Sequence, residues 1–553
     1  MLASTILIIS LAASASALKC HPEGPIHPKP TSLSTSPIFT SAALNLTNTL
    51  NAAISGNITA GWPVNNVSFS LAVVSADQHE PIWEYHHLAA NTRGTKKLDR
   101  DSQYLIGSIS KVFTTYLLLK SGVDLDTPVV DVLPGLERES EVEWKGVSLR
   151  MLASYLSGAP ANYGFSEFYF LKDLFLTYGL PPIQYDDYPP CGVTTLNKAC
   201  KRQEILDGMK TSYPQTTPNE RPAYSNMAFV LIAMALEEST GRNFTQLLKE
   251  VTDPLDMDST FASPGNVSKA VVPPGDSSWG SDYGLNTPAG GLVSSLSDLS
   301  KFAQALLSRT LPLTHSQING WLKPSSFAGN AHTLSGMPWE ILRLDTLTPH
   351  TVTIYSKTGG AQNYRSQLSF IDEYGLAIIV LTAGPMKAAP ILADAVISTF
   401  VGIADEVARV QARRYEGVYK SDDVEAVLEQ DGDSMVLTSL LRNGTNIVSS
   451  LKEIWGLTLG DFLPDIEDKI RVFPSELRED GKEVWYLWPD LDAGFKTDLP
   501  GGMIEGMNCV GWTIQDWVHY GGEPLDRVLF HVEDGVIGLE VPFLRSGVMH
   551  RLK

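Results

Sequence analysis

Three short motifs occur in one order along this chain, and together they restrict the folds that it can adopt. The set is Ser108-Ile109-Ser110-Lys111, Tyr224-Ser225-Asn226 and Lys357-Thr358-Gly359. The motifs supply a nucleophile, a proton-transfer partner and a cationic group, which a serine acyl-transfer enzyme needs. The S-x-x-K spacing alone carries little information, because it also occurs at Ser16 and Ser449. The prediction of a site therefore rests on the set of three.

Apolar patterns predict that two of the motifs lie at helix starts. The pattern from Leu105 to Lys120 predicts a helix with Ser108 near its beginning, and Met227–Glu238 predicts a buried helix directly after the second motif. Two further helices are predicted outside the motifs, at residues 36–56 and 388–405. The stretch 124–345 mixes helical patterns with long loops.

Strand patterns surround the third motif. Residues 351–357, 364–372 and 375–383 predict an antiparallel meander, with Lys357 at the end of its first strand. An earlier pair, 68–75 and 82–86, predicts a hairpin. The third motif is therefore predicted to lie on a strand, whereas the first two lie at helix starts.

The motif side chains predict a particular division of chemical roles. Ser108 and Lys111 are one helical turn apart, so the amine can reach the hydroxyl. A serine hydroxyl is a poor nucleophile until a base takes its proton, and a lysine acts as that base only when burial or a second cation lowers its pKa. Lys357 is the candidate second cation. Two neighbouring lysines would also stabilise the phenolate of Tyr224, which makes it a candidate base or proton shuttle.

The remaining motif residues predict how a substrate is held. Asn226 can fix a substrate amide or carbonyl and hydrogen-bond the lysine. Thr358 and the small Gly359 and Gly360 allow a substrate to lie along the strand edge, and the Gly360 N–H is a candidate oxyanion donor. The helix start at Ser108 offers further N–H groups for developing negative charge.

These residues and their surroundings resemble the serine β-lactamase and penicillin-binding-protein superfamily, specifically its class C and esterase-like branch, where the middle motif is Tyr-x-Asn. Residues 104–114, 147–158 and 288–302 are similar to further family blocks, although Tyr155 stands where the family has His. The resemblance covers about residues 38–405.

The resemblance implies an α/β (α+β) β-lactamase/transpeptidase-like fold, with an antiparallel sheet flanked by helices. It implies that Ser108 is acylated, that Tyr224 with Lys111 moves its proton, and that Ser108 and Gly360 N–H groups form the oxyanion hole. Lys357 would orient a substrate carboxylate or polarise Tyr224. No metal or organic cofactor is implied. Gly360 replaces the Ser that is common in true β-lactamases, which favours an esterase, amidase or acyltransferase over efficient antibiotic hydrolysis.

The chain divides into four predicted parts: a signal peptide at 1–17, an extended Pro- and Ser-rich lead-in at 18–37, a catalytic domain at 38–410 and a β-rich domain at 411–553. Three hairpin signals flanked by apolar or alternating runs predict a small barrel or sandwich in the last part, and these are Asp431-Gly432, Asp480-Gly481 and Asp534-Gly535. This part is similar in outline to the C-terminal domains of large secreted fungal β-lactamase-like proteins.

The N-terminal sequence predicts secretion. An apolar stretch, Ile6 to Ala13, leads to an A-x-A cleavage pattern at Ala15 and Ala17. The alternative is an anchor helix, but the apolar run is too short to span a bilayer. No later segment approaches the roughly 18 consecutive apolar residues of a transmembrane helix.

The cysteines and sequons fit an extracellular protein. An even number of cysteines in an oxidising compartment suggests two disulfides. Cys191 and Cys200 bracket a short loop and are the natural pair, leaving Cys20 to reach Cys509, although four cysteines allow three connectivities. A zinc site is disfavoured by the spacing. Glycosylation sequons occur at Asn45, Asn57, Asn66, Asn243, Asn266 and Asn443.

The formal net charge of -20 argues against a nucleic-acid partner. We therefore expect a secreted serine hydrolase that forms a Ser108 acyl-enzyme on a small ester or amide. One alternative is an acyltransferase that uses the same acyl-enzyme. The other is a binding protein of the same fold without activity. The sequence makes no prediction of the acyl group or the oligomeric state.

Overall fold

The computed structural model describes residues 20–137, 140–460, 466–491, 509–533 and 535–552. The predicted signal peptide, 1–17, lies outside the described residues. The chain separates into two compact units. The motif unit consists of the described residues within Ser32–Leu344 and Thr353–Val401, and the barrel unit of those within Met1–Thr31, Asp345–Val352 and Gly402–Lys553. The predicted boundary between residues 410 and 411 stays a prediction.

An antiparallel eight-stranded sheet, in the order β2-β1-β11-β10-β9-β8-β7-β6, forms the centre of the motif unit. A second sheet has the order β3-β5-β4. The strands are β1 Ser68–Ser75, β2 Trp83–His87, β3 Gln103–Leu105, β4 Phe261–Ala262, β5 Leu292–Ser295, β6 Ser326–Asn330, β7 Thr333–Ser335, β8 Glu340–Leu344, β9 Val352–Ala361, β10 Tyr364–Ile371 and β11 Leu376–Ala383.

Helices pack around these sheets. Those that precede the barrel strands in the described chain are α1 Pro37–Ile54, α2 Ser110–Lys120, α3 Val129–Val132, α4 Leu149–Ala153, α5 Lys172–Thr177, α6 Arg202–Thr211, α7 Asn226–Thr240, α8 Phe244–Thr252, α9 Thr287–Gly290, α10 Leu296–Leu307, α11 His315–Trp321 and α12 Ala388–Ala412. Ten consecutive residues of α7, Met227 to Leu236, are buried. A helix that is apolar on all sides has to lie in the core.

The structure confirms the predicted hairpin and meander. β1 pairs antiparallel with β2 and with β11, and β10 pairs with both β9 and β11. The predicted helices at 36–56, 227–238 and 388–405 are α1, α7 and α12. Strands β6, β7 and β8 were not anticipated, because the pattern in 124–345 indicated helices and loops. Their short sequences, of three to five residues, lack the sustained alternation that marks a half-buried strand.

The prediction of one continuous helix from Leu105 to Lys120 is wrong at its start. Leu105 ends β3 and pairs with Val293, and a 3-10 turn, Gly107–Ile109, precedes α2. Gly107 has a φ of 52°. This left-handed conformation cannot continue an α-helix, so the helix proper begins at Ser110.

The barrel unit contains a nine-stranded sheet in the order β13-β12-β22-β21-β20-β17-β16-β14-β15, closed by pairing of β13 with β14. Its strands are β12 Gly417–Lys420, β13 Val424–Gln430, β14 Met435–Arg442, β15 Thr445–Asn446, β16 Ile466–Glu479, β17 Lys482–Leu491, β18 His519–Tyr520, β19 Glu523–Pro524, β20 Arg527–Val532, β21 Val536–Glu540 and β22 Met549–Arg551, with one helix, α13 Ile447–Leu459. β18 and β19 form a separate pair.

Two of the three predicted Asp-Gly turns join neighbouring strands of the barrel. Asp431-Gly432 lies between β13 and β14, and Asp480-Gly481 links β16 to β17 with φ values of 43° and 79°. Positive φ at both positions is what a two-residue hairpin requires. Asp534 lies outside the described residues, and its flanking strands β20 and β21 pair. The predicted fold class, an antiparallel sheet flanked by helices with a C-terminal β-rich domain, is confirmed.

The structure contains two disulfides. Cys20 is bonded to Cys509 within the barrel unit, and Cys191 is bonded to Cys200 within the motif unit. This is the pairing that the short loop between Cys191 and Cys200 favours. Across the described ranges, no helix combines the length and the apolar composition that crossing a membrane requires.

Candidate active site

The nucleophile candidate lies on the 3-10 turn between β3 and α2. Ser108 Oγ is 3.0 Å from Lys111 Nζ. The turn lies directly against the third motif, because a Cβ on Gly107 would lie only 2.4 Å from the backbone nitrogen of Gly360. The absence of a side chain at Gly107 therefore brings the Gly360 backbone next to the nucleophile turn.

Lys111 is fully buried and hydrogen-bonded only to uncharged groups within the described part of the chain. Its Nζ is 3.0 Å from Ser108 Oγ, and it donates to Asn226 Oδ1 at 2.6 Å and to the Ala289 carbonyl at 2.5 Å. Burial lowers the pKa of Lys111 well below its ordinary value, the charge of Lys357 lowers it further, and Glu340 opposes the shift. A neutral amine beside a hydroxyl is an effective proton acceptor.

Tyr224 lies between the two motif lysines. The distances from its ring centroid are 4.9 Å to Lys111 Nζ and 5.1 Å to Lys357 Nζ. The ring stacks on Tyr155, at 4.9 Å between centroids, and Gln215 donates to the Tyr224 carbonyl at 2.9 Å. Tyr224 is 40% exposed, so it faces both the buried amines and the solvent side of the site.

Ser225 and Asn226 fasten the second motif. Ser225 Oγ accepts from the Ala228 N–H at 2.9 Å, which caps α7, and donates to the Pro160 carbonyl at 2.6 Å. The side-chain nitrogen of Asn226 donates to Asn162 Oδ1 at 2.7 Å. Since Asn226 Oδ1 accepts from Lys111, one amide side chain links the lysine to a loop that carries no motif.

Lys357 and Thr358 both bind the carboxylate of Glu340, which begins β8. Lys357 Nζ forms a short ion pair with Glu340 Oε1, and the Thr358 backbone N–H and hydroxyl donate to Oε2 at 2.9 and 2.7 Å. Lys357 is 1% exposed. Burial would raise the pKa of Glu340, but the charge of Lys357 and the hydrogen bonds from Lys357 and Thr358 hold it below its usual value.

Gly359 allows β9 to lie against the nucleophile turn. A Cβ at Gly359 would lie 1.9 Å from the Ile106 carbonyl oxygen, so no other residue fits without moving the backbone. The same carbonyl accepts from Ser366 Oγ of β10 at 2.7 Å. β9 is therefore in direct backbone contact with the start of the turn, and the neighbouring strand β10 is hydrogen-bonded to the same carbonyl.

The structure gathers the predicted catalytic and substrate-binding residues from all three motifs into one site: Ser108, Lys111, Tyr224, Asn226, Lys357, Thr358, Gly359 and Gly360. The cysteines and the sequon asparagines do not take part in the contacts described above; Asn243, for example, caps α8 by accepting from the Gln246 N–H at 2.9 Å.

The sequence did not predict two residues that contact the motifs. Glu340 binds Lys357, and Asn162 binds Asn226. Glu340 is a single carboxylate in a five-residue strand, and Asn162 is in a loop, so neither has a periodic pattern or a motif around it. The one available signal was indirect. A buried lysine on a strand, such as Lys357, calls for a carboxylate partner, because an isolated charge is costly to bury.

Two family models match the chain. The model described as "Beta-lactamase" matches residues 65–398, which include all three motifs. The model described as "Beta-lactamase-like-like, C-terminal domain" matches residues 407–551.

Curated relatives align with most of the chain. A "Beta-lactamase-like protein" of Arthroderma benhamiae is 40% identical over 98% of this chain and 97% of its own length. A "Probable hydrolase M10" of a Phoma species is 25% identical over 84% of this chain and 81% of its own length. Among solved structures, a D-amino acid amidase from Ochrobactrum anthropi SV3 is 21% identical with a TM-score of 0.48, covering 65% of this chain and 99% of that one.

Proposed function

Because the chain belongs to the beta-lactamase family of hydrolases, we propose that it is a serine hydrolase that forms an acyl-enzyme at Ser108 on a small ester or amide. The observation that carries this proposal is the 3.0 Å distance between Ser108 Oγ and the buried Lys111 amine. The other hydrogen-bond partners of that amine in the described structure are uncharged. A hydroxyl beside a lysine of depressed pKa is the arrangement that an activated serine nucleophile requires.

In the proposed acylation, the proton moves between side chains that contact one another in the structure. Ser108 Oγ attacks the substrate carbonyl carbon while its proton passes to the Lys111 amine, with Tyr224 as the shuttle towards the leaving group. The N–H groups of Ser108 and Gly360 stabilise the oxyanion of the tetrahedral intermediate. When the intermediate collapses, the bond to the leaving alcohol or amine breaks, and that group takes the proton.

Deacylation reverses these proton movements. Water attacks the acyl carbon, its proton passes to the Tyr224 and Lys111 pair, and Ser108 Oγ leaves with a proton returned to it. An alcohol or amine in place of water would give acyl transfer with the same residues. Asn226 has a second amide hydrogen and a second Oδ1 lone pair for positioning a substrate, beside its bonds with Lys111 and Asn162.

We also propose that the protein is secreted, and two features support this. The disulfides Cys20–Cys509 and Cys191–Cys200 form in oxidising compartments, and the N-terminal sequence has a cleavage pattern after Ala17. We expect the secreted protein to begin near Leu18, as N-terminal sequencing of protein from culture medium would show. A mass loss after enzymatic deglycosylation would show which sequons carry glycans.

Intact-protein mass spectrometry tests the acyl-enzyme directly. Wild type, Ser108→Ala and Ser121→Ala are exposed briefly to activated esters of increasing acyl size and to a β-lactam. Ser121 lies at the opposite end of α2, so its variant controls for a general effect on that helix. We expect an ester adduct on wild type and Ser121→Ala that maps to Ser108 and is lost in Ser108→Ala. Folded wild-type protein that forms no adduct and turns over no ester would contradict the proposal.

A further inference from the structure

We infer that Glu340 is a specificity-determining residue that restricts this site to substrates without a carboxylate. The inference rests on the proposed function and goes beyond it, because it assigns the charge of the substrate. Its basis is that the protein's own carboxylate occupies the donors that an anionic substrate would need.

Three donors converge on Glu340. They are the Lys357 ammonium, the Thr358 backbone N–H and the Thr358 hydroxyl, the latter two at 2.9 and 2.7 Å. One cation with two hydrogen-bond donors on a single carboxylate is a complete anion site. A carboxylate on a substrate would have to displace Glu340 before it could bind these groups.

The accessible side of this ion pair is its negative end. The Glu340 side chain is 35% exposed, whereas the Lys357 side chain is 1% exposed. An approaching anion therefore meets the carboxylate before the ammonium, and the chain's net charge of -20 adds to the repulsion. Because the pKa of Glu340 is lowered, its carboxylate stays ionised at neutral pH.

The same pair gives no advantage to a cationic substrate. Glu340 already neutralises Lys357, and a substrate ammonium would have to compete with that buried partner for the same oxygens. Lys111 adds no positive charge when its amine is neutral. The Lys357–Glu340 pair itself therefore carries no net charge, which fits an uncharged acyl group.

A matched pair of substrates tests this assignment. Mono-p-nitrophenyl succinate and its methyl ester differ only in the carboxylate, so the ratio of their kcat/KM values isolates its effect. We expect wild type to prefer the methyl ester by about tenfold or more, and Glu340→Gln to reduce this preference at least several-fold. Glu84→Gln is the control. Glu84 lies on β2, its side chain is 29% exposed, and it pairs with Arg100. This variant removes the same charge and should leave the ratio unchanged.

A binding experiment separates failure of this inference from failure of the proposed function. In the Ser108→Ala background, where no acyl-enzyme can form, calorimetry with benzoate should detect binding only after Glu340→Gln is added. Equal use of the two succinates by wild type, or a ratio that Glu340→Gln does not change, would overturn the inference even if Ser108 is acylated. If no ester labels Ser108, benzoate binding to the single Ser108→Ala variant would still contradict it.

Discussion

Arg471 of the barrel unit and Lys111 of the motif unit are both buried basic side chains, and their hydrogen-bonding needs are satisfied in opposite ways. In the barrel unit, Arg471 donates to Asp431 at 2.9 Å and to Asp490 at 3.1 Å. In the motif unit, Lys111 meets a hydroxyl, an amide oxygen and a backbone carbonyl. Arg471 is 7% exposed and Lys111 is fully buried, so burial alone does not distinguish them.

The difference lies in the charge of the partners. A buried cation held by carboxylates stays charged and fixes the strands that carry it. A buried amine among neutral acceptors loses its proton easily, and the loss makes it a base. The two regions therefore place one kind of residue, a buried basic side chain, in two settings: among carboxylates for Arg471, and among neutral acceptors for Lys111, where the proposed function needs a base.

The largest expected effect comes from removing the amine of Lys111. Lys111→Met keeps the length of the side chain but not the base, so kcat/KM for an activated ester should fall by about 10²- to 10⁴-fold. The thermal midpoint should not fall, because an apolar side chain of similar volume replaces a desolvated amine. A large drop in the thermal midpoint would show that Lys111 is a structural cation like Arg471. The difference between the two buried side chains would then not hold.

The second effect concerns stability. Arg471→Met leaves Asp431 and Asp490 without their shared partner, which should lower the free energy of unfolding by about 3 kcal/mol. The matched control is Arg478→Met on the same strand, whose 76% exposed side chain pairs with Glu483. We expect that control to cost no more than about 1 kcal/mol in chemical denaturation. Ser108 labelling should persist in both folded variants.

The pH dependence of stability should have the same sign in the two regions but fall in different pH windows, alkaline for Lys111 and acidic for Asp431. The pKa of Lys111 is lower in the folded state than its ordinary value, so the unfolded state binds more protons between those two values. Stability therefore rises with pH in that window, and the gain from Lys111→Met should shrink as the pH increases from 7 to 10. Urea unfolding of both proteins across this range would show a constant gain if the amine were charged when folded.

The smallest expected effect is the loss of stability in the barrel unit at acid pH, when Asp431 becomes protonated. Burial would raise the pKa of Asp431, but hydrogen bonds from Lys469 and from backbone N–H groups lower it to about 2. This carboxylate contributes stability that is complete above its ordinary pKa of 3.8 and is lost as the pH falls through about 2. Asp431→Asn should cost roughly 1 kcal/mol at pH 7, since the residue is partly exposed, and the cost should shrink between pH 4 and pH 2.

The parts of the site that the sequence predicts are local in the chain. Ser108 and Lys111 lie within one turn, and Asn226 opens a long apolar helix, so spacing alone places each motif. The strand carrying Lys357 was predictable because β9, β10 and β11 are consecutive and antiparallel. Barrel hairpins were predictable for the same reason, from Asp-Gly pairs that require positive φ.

The parts that were not predictable depend on contacts between distant segments. Glu340 binds Lys357 from a short strand without alternation, and Asn162 reaches Asn226 across 64 residues. The start of α2 was misplaced because Gly107 adopts a left-handed conformation to fit against Gly360, and that contact is invisible in the apolar pattern. Propensity predicts the elements, whereas the approach of one element to another decides where they end.

The glycine contact between the 3-10 turn that carries Ser108 and β9 limits how this site can be redesigned. A methyl group at Gly107 or Gly359 would lie 2.4 or 1.9 Å from backbone atoms, so single substitutions there push the two elements apart. No stepwise mutational path through these positions preserves the nucleophile. A change in substrate preference must therefore come from the side chains around the contact, and a substitution at Glu340 must also provide a partner for the buried Lys357.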